Sequence, residues 1–148
     1  MESFFSFLEK RVDDCSSLLC VGLDPHVSDL PKPTPTAALD FCLNIVEQTA
    51  PYAAAFKPNA AFFEQFGAEG MAALRDVVSA VPAEVPVLLD AKRGDIASNA
   101  EAYARAAFET LGADAISGKT DRSHGCTTIW RGSGTEMLAT CFRGVGWP

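Results

Sequence analysis

Two rhythms of apolar and polar positions alternate along this chain. Short β-prone runs end in a charged residue, and longer stretches between them repeat apolar positions every three or four residues. Leu18-Leu19-Cys20-Val21-Gly22-Leu23 predicts a strand ending at Asp24, and Tyr52-Ala53-Ala54-Ala55-Phe56 one ending at Lys57. Val85-Pro86-Val87-Leu88-Leu89 predicts a third, buried from Val87 to Leu89 and ending at Asp90. The three charged residues stand 33 positions apart, about the length of a βα unit with its loops. Gly112-Ala113-Asp114-Ala115-Ile116 predicts a fourth, short strand.

Helices fill the intervals. Thr34 is placed to cap a helix with Pro35 at its first position. Leu39, Cys42, Leu43, Val46 and Ala50 mark its apolar face, and Pro51 stops it. Residues 61–80 predict helix with a break near Gly67 and Gly70. Ser98-Asn99-Ala100-Glu101 has capping-box spacing ahead of an apolar stripe, Ala100, Tyr103, Ala104, Ala107, Phe108 and Leu111, with Gly112 as the C-terminal cap. Phe4, Phe5, Phe7 and Leu8 predict a short helix at the bottom of the sheet. Strands alternating with helices predict a parallel α/β sheet with right-handed crossovers. In such sheets chemistry gathers at the carboxyl ends of the strands, where Asp24, Lys57, Asp90 and Lys92 all fall.

The tail breaks the pattern. Residues 1–116 carry 8 Lys and Arg against 17 Asp and Glu, net −9, whereas residues 117–148 carry 4 against 2, net +2, together with both tryptophans. Neither Ser117-Gly118-Lys119-Thr120-Asp121 nor Phe142-Arg143-Gly144-Val145-Gly146 has a clear period, so the tail is expected to be poorly structured. In the whole chain, 48% of residues are hydrophobic, 21% are charged, and the net charge is −7. That composition fits a globular protein and disfavours nonspecific binding to nucleic acid or anionic membranes. No apolar run approaches the roughly 18 residues of a membrane span, and the acidic start has no basic leader. Five cysteines without CxxC spacing suggest reduced thiols in a cytoplasmic protein, with Cys20 and Cys42 expected as small buried apolar residues. His124, Cys126 and Cys141 lack a fourth ligand and zinc-site spacing, and Gly132-Ser133-Gly134 is too short for a phosphate loop. His26 reads as an exposed loop histidine, and Arg93, alternating away from Lys92, as a surface or interface residue.

The candidate chemistry lies in Asp90-Ala91-Lys92-Arg93-Gly94-Asp95-Ile96. Side chains alternate along a strand, so Asp90 and Lys92 share a face. With Lys57 and Asp95 they can form a row in which opposite charges alternate and favour the ionised forms. A carboxylate repelling a substrate anion beside a lysine that protonates carbon suits decarboxylation. An ordinary salt-bridge network at a sheet rim fits the charges as well.

Asp-x-Lys-x-x-Asp-Ile closely resembles orotidine 5'-phosphate decarboxylase in its Lys-Arg-Gly-Asp-Ile branch. Cys20-Val21-Gly22-Leu23-Asp24-Pro25 and Ala55-Phe56-Lys57-Pro58-Asn59-Ala60-Ala61-Phe62-Phe63-Glu64 agree in order and spacing. The resemblance covers residues 1–116 and implies a partial decarboxylase barrel, strands one to four of a (β/α)8 TIM barrel. The implied reaction converts orotidine 5'-monophosphate to UMP and CO2 in pyrimidine biosynthesis, without cofactor or metal. Lys92 would protonate C6 of the pyrimidine, and Asp90 would sit against the scissile carboxylate. Lys57 would complete the row and touch the ribose, and Asp24 would accept from a ribose hydroxyl. Asp95 and Ile96 would enter the neighbouring site of a homodimer, and Asn99, where the family often has Thr, could face the ribose.

The family's Asn-Pro-Tyr segment after strand four is replaced here by Ser117 to Thr127, and its later pyrimidine-reading loop and Gln- and Arg-bearing phosphate region are missing. A complete barrel takes about 250 residues. Residues 117–148 are therefore expected to be an aberrant tail, as a truncated gene model, frameshift or alternative splice product would give. The chain alone is expected to be inactive or nearly so. The alternatives are a non-catalytic fragment or partner-binding remnant, and a Mg²⁺-dependent sugar-phosphate decarboxylase such as 3-keto-L-gulonate 6-phosphate decarboxylase, in which the second strand ends in Glu.

Overall fold

Parallel pairing of consecutive strands, each pair joined by a helix, organises the chain. The computed structural model describes residues 3–93, 97–119 and 127–131. Helix α1 (Phe4–Cys15) leads into β1 (Cys20–Leu23), α2 (Pro35–Thr49) and β2 (Ala55–Pro58). Then come α3 (Ala61–Glu64), α4 (Gly67–Ala80), β3 (Leu88–Arg93), α5 (Ala97–Arg105), β4 (Ala115–Lys119) and β5 (Thr127–Arg131). β1 pairs parallel with β2 and β3 parallel with β4. Parallel bridges Phe56–Val87 and Asn59–Asp90 link the two ladders. The described residues thus form a partial barrel of successive βα units, without closure.

Local chemistry explains most of the element boundaries. The Thr34 hydroxyl accepts the Ala37 N–H at 3.2 Å with Pro35 in the first turn, as the sequence predicts. At the other end of α2, Arg11 donates to the Ala50 and Ala53 carbonyls at 2.7 and 2.9 Å, satisfying acceptors that a helix end leaves open. The break between α3 and α4 falls at residues 65–66, and Gly67 opens α4 with φ +66°. Gly70 lies inside α4, where a Cβ would stand 1.9 Å from the Phe63 carbonyl oxygen; the glycine is what lets the two helices touch. Gly112 takes φ +77° after the last helical turns, as a C-terminal cap should.

Alternation sorts each strand into two faces. Leu23, Phe56 and Leu89 point into one core with Phe63, Leu74 and Val77 from α3 and α4. Lys57 and Asp90, their sequence neighbours, consequently face the other way.

Several boundaries differ from the sequence reading. Helix α5 already runs at Ala97, so Ser98 lies within its first turn instead of capping it. Its last turn widens into a π-helical turn over Ala106–Thr110. The third strand continues past Asp90 to Arg93 through a register shift between Leu89 and Arg93. The fourth begins at Ala115 instead of Gly112. Cys42 is buried as expected, whereas Cys20 is exposed. Within the region expected to be irregular, Thr127–Arg131 forms β5 and pairs antiparallel with β4. Residues 120–126 and 132–148, which include His124, Cys126, Cys141 and Gly132-Ser133-Gly134, lie outside the described residues. Among the described residues no helix is long and apolar enough to cross a membrane.

Candidate active site

The carboxyl ends of β2 and β3 bring three charged side chains into contact. Asp90 lies at the centre: its Oδ2 accepts from Lys57 Nζ at 3.4 Å and its Oδ1 from Lys92 Nζ at 2.8 Å. Both ammonium groups therefore flank one carboxylate, well inside a Debye length of about 10 Å at moderate salt. The Asp90 side chain is 16% exposed, against 32% for Lys57 and 64% for Lys92. The row is anchored in the protein at its negative member and opens to solvent at its positive ends.

A fourth residue completes it. Ser117, buried on β4, donates its hydroxyl proton to Asp90 Oδ1 at 2.6 Å. The Ser117 Oγ in turn accepts the N–H groups of Ala91 and Lys92 at 3.1 and 3.2 Å. Sequence reasoning assigned Ser117 to the irregular tail. The available signal was its place one residue after the predicted fourth strand, on the rim that carries Asp90.

Burial pushes the Asp90 carboxyl up. Hydrogen bonds from Lys92 and Ser117 and the positive charges of Lys92 and Lys57 outweigh it, and hold the group below its ordinary 3.8. Asp90 is therefore a carboxylate at neutral pH. Lys92 adopts φ +51°, a left-handed conformation that costs a non-glycine residue on the order of 1 kcal/mol and tends to mark functional sites.

Asp24 follows β1, and its Oδ1 is buried with no hydrogen-bond partner among the described residues. A buried acceptor left open in this way calls for a donor. The Asp24 carboxylate also adds to burial in pushing the Cys42 thiol up to about 12, which leaves that thiol inert. No hydrogen bond among the described residues joins Asp24 to the charge row. Asn99 is exposed in the first turn of α5, and Asp95 and Ile96 lie outside the described residues.

Arg93 pairs with Glu64 and stacks 5.1 Å over the Tyr103 ring. It ties the end of β3 to α3 and α5. His26 is exposed, its ring 4.2 Å from that of Phe62. Among the described residues no three His, Cys, Asp or Glu side chains gather to hold a metal ion.

Residues 17–118 match the model of the Orotidine 5'-phosphate decarboxylase / HUMPS family. The chain belongs to this family. It is 50% identical over 103 residues to an orotidine 5'-phosphate decarboxylase from Herpetosiphon aurantiacus, covering 68% of this chain and 39% of that protein. A second, from Thermomicrobium roseum, is 48% identical over 117 residues, covering 77% of this chain and 42% of its own length. The solved structure of Leishmania donovani OMP decarboxylase superposes with a TM-score of 0.70 at 58% identity, covering 78% of this chain and 43% of that one. The chain thus spans about 40% of the length of these relatives. The sequence resemblance to this family and the partial barrel are both borne out by these matches.

Proposed function

We propose that this rim is the reacting half of an orotidine 5'-monophosphate decarboxylase site. The observation that carries the reading is the row Lys57–Asp90–Lys92, with contacts of 3.4 and 2.8 Å at the ends of β2 and β3. Asp90, held as a carboxylate, faces the carboxylate that leaves as CO2. Lys92, the most exposed member, gives its proton to pyrimidine C6, forming the C–H bond as the C–C bond electrons are released. General acid catalysis of this kind is typically worth about 10²–10⁴-fold. Lys57 balances the far oxygen of Asp90 and meets the ribose. The unpartnered Asp24 oxygen accepts from a ribose hydroxyl, and Asn99 faces the same sugar. Asp95 and Ile96 act across the interface of a cytoplasmic homodimer, without cofactor or metal. Lys57 also speaks against the Mg²⁺-dependent sugar-phosphate decarboxylases, because an ammonium occupies the position where they need a carboxylate for the cation.

A second reading has its own observation. A (β/α)8 barrel continues with parallel strands, yet the outer edge of β4 is taken by the antiparallel β5. The edge on which a fifth parallel strand would pair is covered, which favours a non-catalytic role for the 148-residue chain as it stands, with a tail that begins after the matched segment 17–118 and not at Ser117, which lies on β4.

The deciding experiment transplants residues 17–118 over the matched segment of the Herpetosiphon aurantiacus relative and follows CO2 release from orotidine 5'-monophosphate. The chimera is expected to turn over, and Lys92→Ala within it to abolish turnover. A folded chimera without activity overturns the assignment. The purified chain alone is expected to release CO2 no faster than buffer, and release that Lys92→Ala abolishes would refute its inactivity.

A further inference from the structure

We infer that Ser117 is a positioning residue that sets both the ionisation of Asp90 and the left-handed backbone at Lys92. A serine hydroxyl has one proton to give and two lone pairs to offer. In Ser117 all three are used: the proton goes to Asp90 Oδ1 at 2.6 Å, and the lone pairs take the Ala91 and Lys92 N–H groups at 3.1 and 3.2 Å. With both lone pairs occupied, Ser117 has no acceptor to offer a protonated Asp90. The arrangement is satisfied only when that oxygen of Asp90 is an acceptor.

The backbone consequence follows from the same contacts. Between Leu89 and Arg93 the β3–β4 ladder shifts register, so ladder pairing does not serve the N–H groups of Ala91 and Lys92. One buried hydroxyl from the neighbouring strand receives both. That capture fixes the two peptides that turn Lys92 to φ +51° and return its ammonium to Asp90 at 2.8 Å. Ser117 acts through these two residues. Its meaning for catalysis rests on the decarboxylase reading; its effect on Asp90 and Lys92 does not.

The test uses the full 148-residue chain with Ser117→Ala and Ser117→Thr, which keeps the hydroxyl. Carboxyl-carbon NMR reads the Asp90 titration, and amide hydrogen exchange reads Ala91 and Lys92. Ser117→Ala is expected to move the Asp90 midpoint upward and to speed exchange of both amides about ten-fold, the order of one lost hydrogen bond. Ser117→Thr is expected to restore both readouts. An unmoved Asp90 midpoint in Ser117→Ala overturns the inference, as does a folded Ser117→Thr that behaves like the alanine variant. Should Ser117→Ala not fold, the unaltered chain decides. Its Ser117 hydroxyl proton is expected to exchange slowly, and to speed up as Asp90 is protonated; fast exchange indifferent to pH overturns the inference. None of these readouts is turnover, so they stand or fall separately from the proposed reaction.

Discussion

Asp90→Asn separates a charge row that stabilises the fold from one that the fold merely tolerates. The substitution keeps size and one oxygen acceptor, removes the negative charge, and turns the other acceptor into an N–H donor. The Lys92 pair is short, at 2.8 Å, but its lysine is 64% exposed, so its share is about 0.5 kcal/mol, as for surface pairs. Lys57, at 3.4 Å and 32% exposed, adds about the same. The Ser117 hydroxyl still finds an acceptor in asparagine, but loses the charge assistance, worth about 1 kcal/mol. The expected loss at neutral pH is therefore about 2 kcal/mol, a fall in unfolding temperature of about 4–8 °C for a chain of this size. The pH dependence carries a sign. The folded pKa of Asp90 lies below the ordinary 3.8, so its stabilisation is complete above 3.8 and disappears as pH falls through the folded value. Thermal unfolding of both proteins, from neutral pH down to the acid limit of folding, should show curves that converge in acid. A variant as stable as the parent at neutral pH would refute the reasoning, and so would a deficit independent of pH.

Two further substitutions test the scaffold. Gly70→Ala would be expected from helix propensity to gain about 1 kcal/mol, but its Cβ would stand 1.9 Å from the Phe63 carbonyl oxygen; calorimetry should show a net loss of about 1–3 kcal/mol, and a gain would refute the close packing of α3 on α4. Burial raises the Asp114 carboxyl pKa above 3.8 despite the hydrogen bond from the Val87 N–H, so its contribution is present below 3.8 and lost as pH rises through the folded value. Asp114→Asn keeps an acceptor for Val87 and should raise the unfolding temperature at neutral pH but not near about pH 3; a loss confined to neutral pH would contradict that sign.

What the sequence made legible was local. Thr34 and Pro35 at the start of α2, and Gly112 past the last helical turn, act through contacts within a few residues, so their chemistry can be read without the fold. The charge row was legible for a different reason. The spacing of 33 between Lys57 and Asp90 is that of neighbouring parallel strands, which bridge at Asn59 and Asp90, whereas Lys92 reaches Asp90 through a left-handed backbone that regular alternation does not predict. Several of the departures depend on partners distant in sequence. The left-handed Lys92 and the shift in β3 depend on Ser117, 25 residues beyond. Cys20 is exposed although its run of apolar neighbours reads as a core strand. β5 owes its pairing to β4, and no internal period announces it. Arg93 alternates away from Lys92 as expected, yet its ties to Glu64 and Tyr103 join elements that no local pattern relates.

The row is assembled by folding, so on the proposed reading the work of gathering two ammonium groups around a carboxylate would not be repeated at each turnover. Its strength still depends on what covers it. Two unit charges about 4 Å apart interact with about 1 kcal/mol in water and about 4 kcal/mol at an effective dielectric of about 20. With Lys92 64% exposed, the described rim lies near the aqueous end of that range. Differential stabilisation of a developing carbanion needs the other end, where water is excluded and the ammonium is aimed at carbon. On the proposed reading, the parts of a full-length relative outside the segment matched by residues 17–118 would exclude that water. Position and charge are therefore properties of this segment, whereas catalytic strength, on the proposed reading, would depend on its enclosure. Transplanting the segment into a full-length relative keeps the row and supplies both the enclosure and the substrate-binding parts that this chain lacks, so turnover of the chimera tests the row in the setting the reading requires.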